Sequence, residues 1–394
     1  MNKTFIPTLL KVPQLVKPSE QDTIVNYKPR QYMPQLDGLR ALAIFAVFIE
    51  HYLEPSNPIR TFLPWGWLGV RIFFVLSGFL ITGILLKSRQ ECEAGNISYW
   101  QALKNFFMRR FLRLSPVYFI YLIASIFIFP GKGKYLWVFI LYGQNWLFAL
   151  DPTMVSRAHL WSLAVEAQFY LIMPLILMFL PKRSLLPITI GLVMTSPILR
   201  GIGIVYHLPI LQAYQLPFNN FDTLAMGAIL ALLHQYHFEI VQKFLKVALC
   251  VGIPLLSGCF ILLHFPLQAE VQPILVLFMD VVVGLAGVAI VGYIAQGVKG
   301  LLGEILHHPW LVYSGQISYG LYVYHGDIPE VFFNHLLPLL SPILPPITPP
   351  IVPPGYIAGP WFLFPVYVAI AYAIAAFSWQ FIEQPIHRLK YRFR

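Results

Sequence analysis

Charge is scarce in this 394-residue chain: Asp, Glu, Lys and Arg together make up only 11% of it. That is about half the share in an ordinary soluble domain, and it argues against an independently soluble globular fold. Cysteine is scarce too. Cys92, Cys250 and Cys259 leave no disulfide framework, and the last two share one apolar run, where they read as packing residues. No glycine-rich phosphate loop, zinc-ligand spacing or nucleophile elbow occurs, so soluble nucleotidase and hydrolase templates find no support and no metal is expected. No repeat of fixed period is evident. No cleaved leader is expected either: the first long apolar run starts near residue 38, behind a polar, proline-containing tail, and reads as an uncleaved insertion signal.

What is abundant is apolar sequence. Hydrophobic residues make up 58% of the chain and aromatics 15%, a composition of polytopic membrane proteins with many interfacial Trp and Tyr anchors. Apolar runs fall at 38–54, 66–86, 114–130, 160–180, 185–206, 218–236, 247–265, 271–296, 311–340 and 361–382. Most can cover ~30 Å of hydrocarbon at ~1.5 Å per residue. The expected fold is therefore all-α: a polytopic membrane helix bundle of about ten transmembrane helices. Residues 1–35 form an expected mobile cytoplasmic tail, and residues 36–390 one membrane domain. The proline-dense stretch 337–360 cannot continue a helix and reads as a semi-rigid outer loop.

The net charge of +10 would raise the question of nucleic acid in a soluble protein. Here the cations lie between apolar runs, so the bilayer is the expected partner and nucleic acid is not. The stretch 135–150 decides the topology, being short and carrying Gly143, Gln144 and Asn145. If it does not cross and the N-terminus is cytoplasmic, the cytoplasmic segments hold most of the 27 Lys and Arg residues. The outer ones then hold only Arg60, Lys132, Lys134, Arg157 and Arg200. That bias predicts ten crossings of a cell membrane with both termini cytoplasmic, and makes 135–150 a re-entrant or interfacial segment buried against protein.

Charge inside a bilayer is costly, so each intramembrane ionisable residue is a functional candidate. The organising stretch is DGLRALAIFAVFIEHY, residues 37–52. Arg40 and His51 lie eleven positions apart, about three helical turns, and so share one face roughly 16 Å apart. A snorkelling Arg and an interfacial His are the plain alternative. Arg71 lies within the second run, followed by Ser77 and Gly78, whose small size suits close helix packing. Arg109, Arg110 and Arg113 cluster at a membrane entry. They are topology determinants, and Arg110 and Arg113, three apart, also suit a polyphosphate clamp. Glu166 sits inside an apolar run and needs a cation partner, for which Arg40 and Arg71 are the candidates. Asp222 and Asp280 pose the same question. Ser318, Tyr322 and His325 fall on one helical face, as a lined cavity requires. Glu383, before Pro385 at the cytoplasmic side, reads as structural.

Taken in order, these segments resemble the acyltransferase-3 family of integral membrane acyltransferases. Arg40–ten residues–His51 looks like the family's first-helix motif, and GVRIFFVLSGFLIT like its second-helix signature. Arg110 and Arg113 supply its Arg-x-x-Arg pattern. HLWSLAVEAQFYL is similar to its WSLAVEEQFYL, with Ala167 in place of the second acid. SYGLYVYH is similar to SYGLYLWH, and FIEQP to its closing Glu-x-Pro. Together they span residue 35 to about 390.

The resemblance implies transfer of an acyl group, often acetyl, from cytoplasmic acyl-coenzyme A to a hydroxyl of a carbohydrate or glycolipid acceptor, across the membrane. Arg40, Arg110 and Arg113 would hold the coenzyme A phosphates. His51 would act as general base, with Arg40 and Glu166 as its catalytic companions. An acyl-His intermediate is the other route. Arg71, Ser77, Tyr322 and His325 would line the substrate pore. A homo-oligomer is compatible with this reading. From composition alone, a multi-pass secondary transporter of a small anionic or polar solute is the main alternative.

Overall fold

The computed structural model describes residues 32–128, 133, 135–151, 157–207, 214–264, 271–340 and 360–392. Every regular element among these residues is helical. The apolar runs become α1 (Pro34–Tyr52), α2 (Trp65–Glu93), α3 (Tyr99–Ile128), α4 (Ala158–Phe179), α5 (Lys182–Val205), α6 (Phe221–Tyr236), α7 (Phe238–Leu263), α8 (Val271–Ala295), α9 (Pro309–Gln316), α10 (Ser318–Tyr324) and α11 (Trp361–Arg388). Most of the expected tail, and the core of the proline-dense stretch at 341–359, lie outside the described residues.

Seven of these helices, α2, α3, α4, α5, α7, α8 and α11, are long and apolar enough to cross a membrane, and the chain is an integral membrane protein. The number is smaller than the ten apolar runs for reasons that run length hides. Helix α1 has 19 residues but carries Asp37, Arg40 and Glu50, and α6 has only 16. The run at 311–340 breaks at Ile317, again at a 3-10 turn over His325–Asp327, and again at a π turn over Phe332–Leu336. Gly326 and Pro329 fall in that broken stretch, where a continuous ladder of backbone hydrogen bonds is hardest to keep.

The stretch 135–150 forms two short helices, Leu136–Ile140 and Gln144–Leu150, joined where Tyr142 adopts a left-handed φ of 54°. At ~1.5 Å per residue neither can cross ~30 Å of hydrocarbon. Its side-chain amide nitrogens are held by protein. Gln144 Nε2 donates to the Leu160 carbonyl at 2.8 Å, and the Asn145 and Gln168 amides exchange hydrogen bonds at 3.0 Å.

Helix α2 packs against α1, α4, α6 and α8 and belongs to both hydrophobic cores. Its crossing with α6 is a backbone contact. A Cβ on Gly78 would strike the Leu224 carbonyl, and one on Gly227 would strike the Val75 carbonyl. Close packing is thus what Gly78 does, as small residues at membrane helix crossings do.

Beside that crossing, four buried charges neutralise one another. Arg71 Nε lies 2.7 Å from Asp280, Arg200 Nη1 lies 2.7 Å from Asp280, and Arg200 Nη2 lies 2.6 Å from Asp222. Trp67 Nε1 donates to Asp280 at 3.0 Å, while Arg71 also donates to Asn220 and to the Tyr214 hydroxyl. These residues come from α2, α5, α6 and α8 and the turn before α6. Buried charge is tolerable only when paired in this way. Asp222 and Asp280 therefore find their cations in Arg71 and Arg200, which leaves Arg71 already paired and not the partner of Glu166.

Candidate functional site

A cavity of about 1310 Å³ opens among α1, α2, α3, α4 and α10. The start of α1, the end of α2 and the start of α3 line one part of it. In an alternating bundle those three segments meet on one side of the membrane. Arg40, Lys87, Arg109, Arg110, Arg113 and Lys390 all border it, against the three carboxylates Asp37, Glu91 and Glu166. The site is a basic pocket sunk into an apolar bundle. Arg40 Nη1 is held by Asp37 at 2.8 Å, one helical turn earlier. At the rim, Gln316 Nε2 donates to Tyr32 at 2.7 Å. Burial, with the Asp37 carboxylate second, pushes the Tyr32 hydroxyl up to about 12, so it stays neutral at physiological pH.

Further in, Glu166 accepts hydrogen bonds from Ser77 and from Tyr170, which lies one turn along α4. The Arg110 guanidinium sits 5.9 Å over the Tyr170 ring. The cation beside Glu166 is thus Arg110, reached through Tyr170, rather than Arg40 or Arg71. At the cavity's end the Ser162 and Tyr322 hydroxyls meet at 2.6 Å, and Tyr322 also donates to the His159 carbonyl at 2.8 Å.

Three imidazoles stand beyond that pair. The His325 ring centre lies 4.9 Å from His51, 4.9 Å from His159 and 5.2 Å from the Tyr322 ring. Each histidine has one ring nitrogen on a backbone carbonyl: His51 Nδ1 on Val47 at 3.0 Å, His159 Nε2 on Val323 at 3.1 Å, and His325 Nδ1 on Tyr322 at 2.6 Å. A carbonyl only accepts, so those nitrogens carry the hydrogens. In the neutral rings this leaves His51 Nε2, His159 Nδ1 and His325 Nε2 as lone pairs.

Of the residues singled out in the sequence, the cavity brings together Arg40, Ser77, Arg110, Arg113, Glu166 and Tyr322. Arg71, His51 and His325 are not among its lining residues. Among the described residues, the lining of this cavity includes Arg40 and stops short of His51. The way from the cavity to His51 passes the Tyr322 and His325 rings. Glu50, the neighbour of His51 in the chain, turns to Arg60 at 3.9 Å and to the Gly66 amide. Val47 supplies the carbonyl that steers His51. Sequence reasoning missed His159, Ser162 and Tyr170. All three sit in the same HLWSLAVEAQFY stretch as Glu166, and the four residues follow one another at steps of three, four and four, the spacing of one helical face, which is the signal that points to them.

The cavity thus offers cations that can bind an anionic ligand, with an acid and a histidine group behind them that can hold or move protons. The acyltransferase-domain family matches residues 33–379, and the chain belongs to that family. It is similar to Peptidoglycan O-acetyltransferase OatA of Listeria monocytogenes, 32% identical over 384 residues that cover 91% of this chain and 56% of the relative. It is 28% identical over 388 residues to O-acetyltransferase OatA of Staphylococcus aureus, covering 92% of this chain and 58% of that one. The same identity holds over 391 residues to a putative O-acetyltransferase of Staphylococcus aureus, again 92% and 58%. The chain thus spans somewhat more than half the length of the curated relatives it matches. No solved structure matches it.

Proposed function

We propose that this chain is a membrane O-acyltransferase that takes an acyl group, in the first instance acetyl, from cytoplasmic acyl-coenzyme A and passes it to a hydroxyl of a cell-envelope carbohydrate. The observation that carries the reading is the basic cavity ending at Ser162 and Tyr322, with the His51–His325–His159 group directly behind. The names of the relatives support O-acetylation, and peptidoglycan as the class of acceptor.

In this reading the chain crosses the membrane ten times with both termini cytoplasmic, and 135–150 is a re-entrant segment. The cavity then opens to the cytoplasm. Arg40, Arg110 and Arg113 bind the coenzyme A phosphates by charge-assisted hydrogen bonds. The thioester extends toward Ser77, Glu166 and Tyr322. Glu166 keeps Ser77 and Tyr170 oriented along that path and holds Arg110 in place through Tyr170. His51 is the general base: its Nδ1–H is fixed on Val47, so Nε2 is the lone-pair nitrogen that takes the proton from the acceptor hydroxyl as oxygen attacks the thioester carbonyl. The Tyr322 ring must turn, or the Ser162–Tyr322 bond open, for the thioester to come within reach of His51.

The test is transfer of labelled acetyl from acetyl-coenzyme A to glycan strands of peptidoglycan by purified protein in liposomes. Labelled glycan that is lost in His51→Ala, with donor binding kept, supports the assignment. Transfer at the wild-type rate by His51→Ala removes His51 from the base role. Labelled protein formed with donor alone would indicate an acyl-enzyme route. The carrier alternative has no observation in its favour once the chain belongs to an acyltransferase family.

A further inference from the structure

We infer that His325 is a proton relay between His51 and the donor cavity, returning the acceptor's proton to the departing thiolate. The inference rests on the transfer reaction proposed above and deepens it.

Three observations point to it. His325 is fully buried, and its Nε2 has no hydrogen-bond partner among the described residues. A buried polar atom left unpaired is costly, so a fold that retains one calls for an explanation. Its neighbours supply one. Two imidazoles sharing an N–H···N hydrogen bond have ring centres about 5 Å apart. His325 stands at 4.9 Å from His51, so a small ring rotation brings a proton across. On its other side the Tyr322 ring is 5.2 Å away, and the Tyr322 hydroxyl meets Ser162 at 2.6 Å on the cavity wall. His325 is also held in place: Nδ1–H donates to the Tyr322 carbonyl, and the Tyr52 hydroxyl donates to the His325 carbonyl at 3.3 Å. The groups facing it are His51 and Tyr52 of α1, His159 of the turn opening α4, and Tyr322.

The reaction creates the need. The acceptor O–H bond breaks as its oxygen bonds to the acyl carbon, and that proton goes to His51 Nε2. The carbon–sulfur bond breaks and its electron pair leaves with sulfur on the cavity side. His51 passes the proton to His325 Nε2, and once the Ser162–Tyr322 contact has closed again behind the departing sulfur, the thiolate receives the proton from there through the Tyr322 and Ser162 hydroxyls. The products are ester and thiol, the histidines end neutral, and no further reactant is required. Acyl group and proton cross the same boundary in opposite directions.

The test uses the full chain in liposomes, with acetyl-coenzyme A and peptidoglycan glycan strands. His325→Gln is expected to slow single-turnover transfer about ten- to a hundredfold, with acetyl-coenzyme A affinity unchanged. In His325→Ala, added imidazole is expected to restore part of the rate, which repair of a merely structural defect would not produce. The unaltered protein gives an independent reading: transfer rate against deuterium content should curve, as two protons in flight require. Wild-type rates in His325→Gln, loss of donor affinity together with rate, no rescue by imidazole, or a straight proton inventory would each overturn the relay. If the unaltered protein transfers no acetyl at all, the reading of its activity fails first and takes the relay with it.

Discussion

Arg71 and Asp280 meet at 2.7 Å in the interior of the bundle, on helices that lie far apart in the chain. With Arg200 and Asp222 they make two cations and two carboxylates that share partners. Removing one leaves another buried and uncompensated, at a cost of about 3–5 kcal/mol. Asp280→Asn is therefore expected to lower the thermal midpoint in detergent sharply. Replacing Arg71 and Asp280 together by Met and Leu is expected to recover much of the loss, since an apolar pair strands neither charge. The pair's role is architectural if the double variant keeps acyl transfer, and a drop in transfer at recovered stability would assign Arg71 a part in the chemistry.

Gly78 and Gly227 make the next prediction. Each faces a backbone carbonyl of the opposing helix, so any side chain forces α2 and α6 apart. The separation would reach Ser77, which hydrogen-bonds Glu166 on α4. Gly78→Val is expected to cost about 1–3 kcal/mol, the usual range for overpacking. Ser77→Ala should cost less in stability, because it removes one donor to Glu166 and leaves the crossing intact. Melting curves in a fixed detergent separate the two. Equal destabilisation would mean that the backbone contact carries no special weight.

Arg110 and Arg113 border the cavity together with Arg40. If they hold phosphates, Arg110→Ala and Arg113→Ala each lose a charge-assisted contact worth about 1.5–3 kcal/mol, roughly ten- to a hundredfold in donor affinity. Arg→Lys should recover only part of it, because an ammonium cannot form the planar bidentate contact. Isothermal titration with acetyl-coenzyme A and with desulfo donor analogues reads this directly. Unchanged affinity in both Ala variants would leave the cluster as a topology signal alone.

How much of this was legible in the chain depends on the range of the interaction. Composition placed the protein in the bilayer, and the apolar runs located the helices, because both follow from local hydropathy. Arg40, Arg110, Arg113, Ser77, Glu166 and Tyr322 were visible as polar residues in apolar surroundings, and the cavity gathers them. Their partners were not visible. Glu166 pairs with Ser77 and Tyr170 rather than with Arg40, and Arg71 with Asp280 rather than with Glu166, because pairing is fixed by how helices cross. The break of 311–340 escaped for a related reason. A 30-residue apolar run reads the same whether it is one helix or several short ones, and it is the 3-10 turn at His325–Asp327 that brings His325 between His51 and His159. His51 was legible as well, but its place behind the Tyr322 and His325 rings, outside the lining of the cavity, was not.

Glu166 offers the sharpest sign test. It is a carboxylate bordering a cavity in which cations outnumber acids, so it opposes an anionic donor while holding Ser77, Tyr170 and, through the Tyr170 ring, Arg110. Glu166→Gln keeps the shape and one acceptor oxygen but removes the charge. If anions bind here, the variant should bind acetyl-coenzyme A more tightly, by about threefold to tenfold at low salt, and the gain should shrink as ionic strength rises. Transfer should nonetheless fall, because a neutral amide holds the two hydroxyls less firmly than a carboxylate does. The two effects run in opposite directions, which a loosened fold cannot produce: misfolding lowers both. Weaker donor binding in Glu166→Gln, with stability preserved, would place the coenzyme elsewhere and leave the basic cavity without its proposed ligand.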